Sequence, residues 1–166
     1  MKSGKILITV SILLVFLFGQ ETSGQKIEYI KVPDLEKILN NQENKLLVVN
    51  LWATWCAPCV KELPAFEKAA GEYNQSKVRF IMISLDFPSQ IETQLKPFLR
   101  KNKISLKVSV MMDTDYNSWI DKVDPTWEGN IPSTLFFNNS KKTRYFHSGE
   151  LSESELRKLI DQFISS

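Results

Sequence analysis

The stretch from Lys45 to Pro64, KLLVVNLWATWCAPCVKELP, constrains this chain more than any other. Lys45 to Trp52 is almost wholly apolar, which suits a central strand buried on both faces, as in parallel sheets. Pro58 to Tyr73 then places Val60, Leu63, Phe66 and Ala70 at helical spacing. Strand therefore runs almost directly into helix. At the joint stand Cys56 and Cys59, the only two cysteines in the 166 residues.

The remaining pattern fits around that unit. Ile27 to Ile30 reads as a short strand, and Pro33 and Asp34 open a helical stretch, LEKILNN, with Leu35, Ile38 and Leu39 on one face. Val78 to Leu85 is a second buried strand, ended by Asp86-Phe87-Pro88. Ser89 is expected to cap a helix whose apolar face is Ile91, Leu95, Phe98 and Leu99. Lys107 to Met112 is a shorter strand, and Tyr116 to Val123 a helix with Trp119 and Ile120 inward. Ser133–Phe137 and Arg144–His147 flank a polar turn and read as an antiparallel hairpin. Ser152 caps a last helix with Leu156, Ile160 and Phe163 facing in, and Glu155 completes a capping box. Strands alternating with helices, closed by a hairpin and a helix, predict an α/β fold with a central mixed β-sheet flanked by helices on both faces. No repeat or long linker interrupts residues 25–166, which read as one domain.

The first 24 residues are of another kind. Lys2 and Lys5 precede an uncharged run from Ile6 to Gly19, and Gln20-Glu21-Thr22-Ser23-Gly24 follows. A charged start, an apolar middle and a small-residue exit form the layout of a secretory signal. The run is shorter than the roughly 20 residues of a spanning helix. Thr22 and Gly24 supply small residues for a cut after Gly24, with Gly19 the alternative; an uncleaved segment would anchor the protein to the membrane. The expected location is periplasmic or otherwise exported, where disulfides form and persist. The 21 basic and 19 acidic side chains are interspersed, so composition gives nucleic-acid binding no support.

Two thiols two residues apart can be a staple, half of a metal site or a redox pair. A zinc site wants about four ligands, and His147 is the only histidine. A staple over so short a loop constrains the unfolded chain little, because the entropic benefit grows with loop length. A redox pair fits the position. The thiolate is the reactive form, and unpaired N–H groups at a helix N-terminus stabilise it. Cys56 is therefore expected to be exposed and attacking. Cys59, one turn further in, would resolve the mixed disulfide and leave a Cys56–Cys59 disulfide. Pro58 suits the first turn, where its missing N–H costs nothing.

Asn50-Leu-Trp-Ala-Thr-Trp-Cys-Ala-Pro-Cys59, followed by Glu62 and Pro64, resembles the active-site segment of thioredoxin-fold proteins. More narrowly it is similar to the exported bacterial TlpA/ResA-like thiol–disulfide oxidoreductases, and Asp124–Gly129 looks like versions common in Bacteroidetes. The resemblance runs from about Lys45 to the C-terminus. It implies a thioredoxin fold, here with an N-terminal β-α extension. Asn130-Ile-Pro-Ser-Thr-Leu-Phe-Phe137 stands where the family has its cis-proline. Pro132 in that form would set the Ile131 backbone beside Cys56, where an extended segment of a partner could pair with it by β-addition. Trp55 would shape the contact surface, and Trp52 belongs to the core. Cytosolic thioredoxins carry a buried aspartate where this chain has Asn50, which cannot exchange a proton. Glu62 is the candidate to manage the proton of Cys59, against the alternative of a solvated helix glutamate. His147 reads as structural or surface.

The leading expectation is an exported reductant of disulfides in partner proteins. Relatives of the ResA kind reduce apocytochrome c cysteines during haem attachment, so cytochrome c maturation is one pathway the resemblance implies. It also implies a membrane thiol carrier of the DsbD/CcdA kind as electron donor. A dithiol oxidant or isomerase is the first alternative, since direction depends on reduction potential. A thiol peroxidase is the second, although Ala53 stands where such centres carry threonine or serine. A non-catalytic binding module is the third. No Gly-rich phosphate loop or metal cluster is visible, so no cofactor is expected. A monomer is expected.

Overall fold

A computed structural model describes residues 27–165 of the chain. The expected signal segment, its cleavage point and any anchoring by it lie outside the described residues. No helix among the described residues is long and apolar enough to cross a membrane.

The apolar run after Lys45 forms β2 (Leu46–Trp52), every residue of which is buried. It pairs in parallel with β3 (Val78–Ser84) on one side and antiparallel with β5 (Ser133–Asn138) on the other. Outward from β3 lie β4 (Val108–Met111) and then β1 (Glu28–Ile30), both parallel. Outward from β5 lies its hairpin partner β6 (Thr143–Ser148). The mixed six-stranded sheet thus runs β1-β4-β3-β2-β5-β6.

Alternation along β2 explains why both faces are covered. Leu46, Val48 and Trp52 join a core with α2 (Ala57–Glu72), α3 (Lys96–Lys101) and α5 (Glu153–Ser165), through Leu63, Phe66, Leu99, Leu156 and Ile160. Leu47, Val49 and Leu51 join the opposite core, with Leu35 and Leu39 of α1 (Val32–Leu39) and Val123 of α4 (Ile120–Val123). This is the thioredoxin fold, and β1 with α1 forms its N-terminal β-α extension. The capping box of α5 is present: the Glu155 N–H donates to Ser152 Oγ at 3.3 Å, and the Ser152 N–H donates to Glu155 Oε2 at 2.9 Å.

Two helices depart from expectation. Ser89 caps nothing; it sits inside a 3-10 turn, Pro88–Gln90, that has no side-chain cap. A π-helical turn, Ile91–Leu95, follows before α3 begins. The cause is Pro97, which has no N–H to offer the Thr93 carbonyl. The Lys96 N–H instead reaches the Ile91 carbonyl, five residues back. The expected helix over 116–123 is split into a 3-10 turn, Tyr116–Ser118, and α4. Trp119 between them leaves helical geometry at φ −145°. Its indole is fully buried and donates to the Asp113 carbonyl at 3.0 Å, which fixes the break.

Candidate active site

The C-terminal end of β2 turns once and becomes α2. The Cys56 N–H donates to the Ala53 carbonyl at 3.2 Å, closing the turn. Cys56 is then the N-cap residue of α2, in extended conformation, and its Sγ accepts the Cys59 N–H at 3.3 Å. The two cysteines are joined as a disulfide with Cα atoms 5.2 Å apart. Cys59 is wholly buried. Cys56 is less open than its expected role suggests, keeping 6% of its surface, while Trp55, Ala57 and Pro58 around it are exposed. The approach to its sulfur is therefore narrow. The neighbours turn outward because the main chain here belongs to a turn and a helix tip, and the sulfur itself is folded back over the helix end.

The Ile131–Pro132 peptide is cis. The Ile131 carbonyl oxygen lies 3.7 Å from Cys56 Sγ, so a reduced Cys56 can donate its S–H there. Ile131 is half-buried and Pro132 buried. The Pro132 carbonyl accepts the Gly149 N–H at 2.9 Å, which ties this loop to the segment after β6. Trp55, with 51% of its surface exposed, is the most exposed large apolar residue beside the sulfur.

Glu62 is no solvated helix residue. It is 2% exposed, one turn below Cys59 on α2. Its Oε1 accepts from Asn50 Nδ2 at 2.8 Å and its Oε2 accepts the Leu151 N–H at 2.9 Å. Asn50 also donates to Thr134 Oγ1 at 3.0 Å; these two residues face each other across β2 and β5. Burial pushes the Glu62 carboxyl up from its ordinary 4.5 to about 7. The Leu151 and Asn50 donors pull it back, and nearby Glu150 pushes it further up. A buried carboxyl one helical turn from a cysteine pair, poised near neutrality, is suited to take and return a proton.

A second buried carboxyl lies on the other flank. Asp86, just past β3 and 1% exposed, accepts the Thr54 N–H at 3.1 Å, the Thr54 hydroxyl, and the Ser84 hydroxyl at 2.7 Å. In the sequence alone Asp86 reads only as the end of a strand. The available signal was its position: polar groups at the carboxyl ends of parallel strands gather around the site of an open α/β sheet. The Leu151 main-chain donor carried no side-chain signal at all. His147, on β6, is half-buried beside Tyr145 and stands opposite Thr134 in the hairpin register. Among the described residues no group of three or more His, Cys, Asp and Glu side chains is placed to hold a metal ion.

A family model described as the AhpC/TSA family matches residues 23–146. The chain belongs to the AhpC/TSA family. Within that family it falls among the ResA-like thiol–disulfide oxidoreductases. It is 24% identical over 143 residues to the thiol-disulfide oxidoreductase ResA of Halalkalibacterium halodurans, covering 86% of this chain and 75% of that protein. It is 30% identical over 127 residues to ResA of Bacillus thuringiensis subsp. konkukian, covering 66% of this chain and 72% of that protein. Among solved structures, a thioredoxin-related protein from Neisseria meningitidis serogroup B superposes with a TM-score of 0.63 at 27% identity, over 73% of this chain and 86% of that one. StoA from Bacillus subtilis shares the fold, with a TM-score of 0.57 at 20% identity, over 72% of this chain and 84% of that one.

Proposed function

We propose that this AhpC/TSA-family protein is exported and reduces disulfides in partner proteins by cycling Cys56 and Cys59 between dithiol and disulfide. The observation that carries the reading is the disulfide at the tip of α2, directly above a buried Glu62 poised near neutrality.

The reduced protein starts the cycle. The Cys56 thiolate, stabilised by the Cys59 N–H and the helix end, attacks one sulfur of the partner's disulfide. A mixed disulfide forms and the other partner sulfur leaves as thiolate, to be protonated. Glu62 in its ionised form accepts the proton of Cys59. The Cys59 thiolate attacks Cys56 Sγ, the partner's second thiolate departs, and Glu62 returns a proton. Two electrons pass to the partner and the protein is left with the Cys56–Cys59 disulfide. Ile131, ahead of cis-Pro132, offers main-chain groups to an extended partner segment, and Trp55 covers the flank of the contact.

The reset requires a dithiol donor, and a membrane thiol carrier of the DsbD/CcdA kind is the class we assign. Apocytochrome c thiols awaiting haem are one substrate that the family resemblance offers. The lysine-flanked apolar segment before Gly24 supports export, either cleaved or as an anchor.

The test is insulin disulfide reduction with dithiothreitol, joined to trapping in cells. Cys59→Ser holds partners on Cys56 as mixed disulfides that mass spectrometry identifies, and Cys56→Ser holds none. Wild type and Cys56→Ser equally inactive on insulin, with no trapped partner, would reject the reading. A reduction potential far more oxidising than that of thioredoxin, about −270 mV, would reverse the direction assigned.

A further inference from the structure

We propose that Asp86 is a positioning residue for Cys56, acting through Thr54 to hold the turn that carries the attacking sulfur. The proposal rests on the reading of Cys56 as that sulfur.

The hydrogen bonds of the Asp86 side chain point to this task, and the titratable neighbour that feels its charge is the Tyr116 phenol. Its carboxyl takes both donors of one residue, the Thr54 N–H at 3.1 Å and the Thr54 hydroxyl. Ser84 steadies it from the strand side, donating its hydroxyl at 2.7 Å and accepting the Asp86 N–H at 3.1 Å. One residue earlier, the Leu85 N–H donates to the Trp52 carbonyl at 2.7 Å, so the ends of β2 and β3 are already locked together. The carboxyl extends that lock past the end of the sheet, where no ladder bond is left to hold the chain. No ion pair to Asp86 occurs among the described residues.

A carboxyl placed at 1% exposure without a cation is a costly way to end a strand. What it secures is Thr54, the first inner residue of the turn that the Cys56 N–H closes on Ala53. With Thr54 fixed, Cys56 has one place to go. Its sulfur meets the Cys59 N–H at 3.3 Å and the Ile131 carbonyl at 3.7 Å. Release of Thr54 lets the turn relax and draws the sulfur off the helix end, which weakens the thiolate. The effect travels through geometry, so it has a sign opposite to that of a direct charge effect: removing a nearby negative charge would strengthen the thiolate.

The test is the pH dependence of iodoacetamide alkylation at Cys56 in the reduced full chain, with the labelled residue located by peptide mass spectrometry. Thr54→Val removes the hydroxyl without changing charge, and its midpoint is expected to rise by about half a pH unit or more. Thr54→Ser restores the donor and the wild-type midpoint. Asp86→Asn shifts the midpoint upward as well. A wild-type midpoint in Thr54→Val, a shift that Thr54→Ser shares, or a downward shift in Asp86→Asn overturns the proposal. If Asp86→Asn fails to fold, the Thr54 pair alone decides. Alkylation needs no partner protein, so failure of insulin reduction with these shifts intact would sink the proposed function and leave the clamp standing.

Discussion

Two buried carboxyls flank the Cys56 turn, and their surroundings differ. Glu62 sits inside the helix-covered core and accepts from one side-chain amide and one main-chain N–H. Asp86 sits at the sheet end and accepts from two hydroxyls and one main-chain N–H, two of them from a single residue. The two donors to Glu62, Asn50 on β2 and Leu151 after the hairpin, come from distant places in the chain. Those to Asp86 come from the two strand ends it joins. A sparsely satisfied acid in an apolar setting can change protonation during a reaction, whereas the donors around Asp86 fix two strand ends to each other. The difference supports the two proposals made above, proton handling at Glu62 and positioning at Asp86.

The sharpest way to break this contrast is at the sulfur between them. Cys56→Ser is expected to lose insulin reduction down to the dithiothreitol background, and retained activity would remove the centre from which both acids take their meaning. Glu62→Gln comes next, with turnover expected to fall about a hundredfold. Wild-type resolution should rise with pH through about 7, as the carboxyl ionises, and that rise should be missing in the variant.

Stability gives an independent reading of the same group. The folded carboxyl holds its proton up to about 7 while the unfolded one releases it near 4.5. Below the lower value both states are protonated and the fold carries no penalty. As pH rises through the window the folded state must give up a proton it holds more tightly, so stability falls. The loss for the oxidised protein should total roughly 3 kcal/mol, read from urea unfolding at several pH values, and Glu62→Gln should flatten it. On the other flank, Asp86→Ala leaves the Thr54 and Ser84 donors unpaired and should cost about 2 kcal/mol in the same assay. The smallest effect lies away from both acids: Ser152→Ala, which removes the cap of α5, should cost about 1 kcal/mol.

Much of this was legible from residue patterns. The apolar run of β2, the helix of Cys59 and Glu62, the hairpin and the capped last helix all follow from local periodicity and capping, and the structure has them within a residue or two. Local signals failed where a single backbone group decided the outcome. The missing N–H of Pro97 replaced an expected helical turn with a wide one, and the buried indole of Trp119 broke another. At the site, Glu62 could be named from its spacing to Cys59. Its carboxyl is held by the Leu151 N–H, and that of Asp86 by Thr54, partners far away in sequence that no periodicity brings together.

The bond from the Leu151 N–H to Glu62 has a consequence for how the protein is made. Leu151 lies after the closing hairpin, 89 residues beyond Glu62. During synthesis, Cys56 and Cys59 emerge long before it does. Contacts so distant in sequence form late, because the loop between them must close first. An incomplete chain can thus carry both thiols and still lack the environment that sets its proton acceptor. In the function proposed above, proton handling at Glu62 therefore waits on the segment that follows the hairpin.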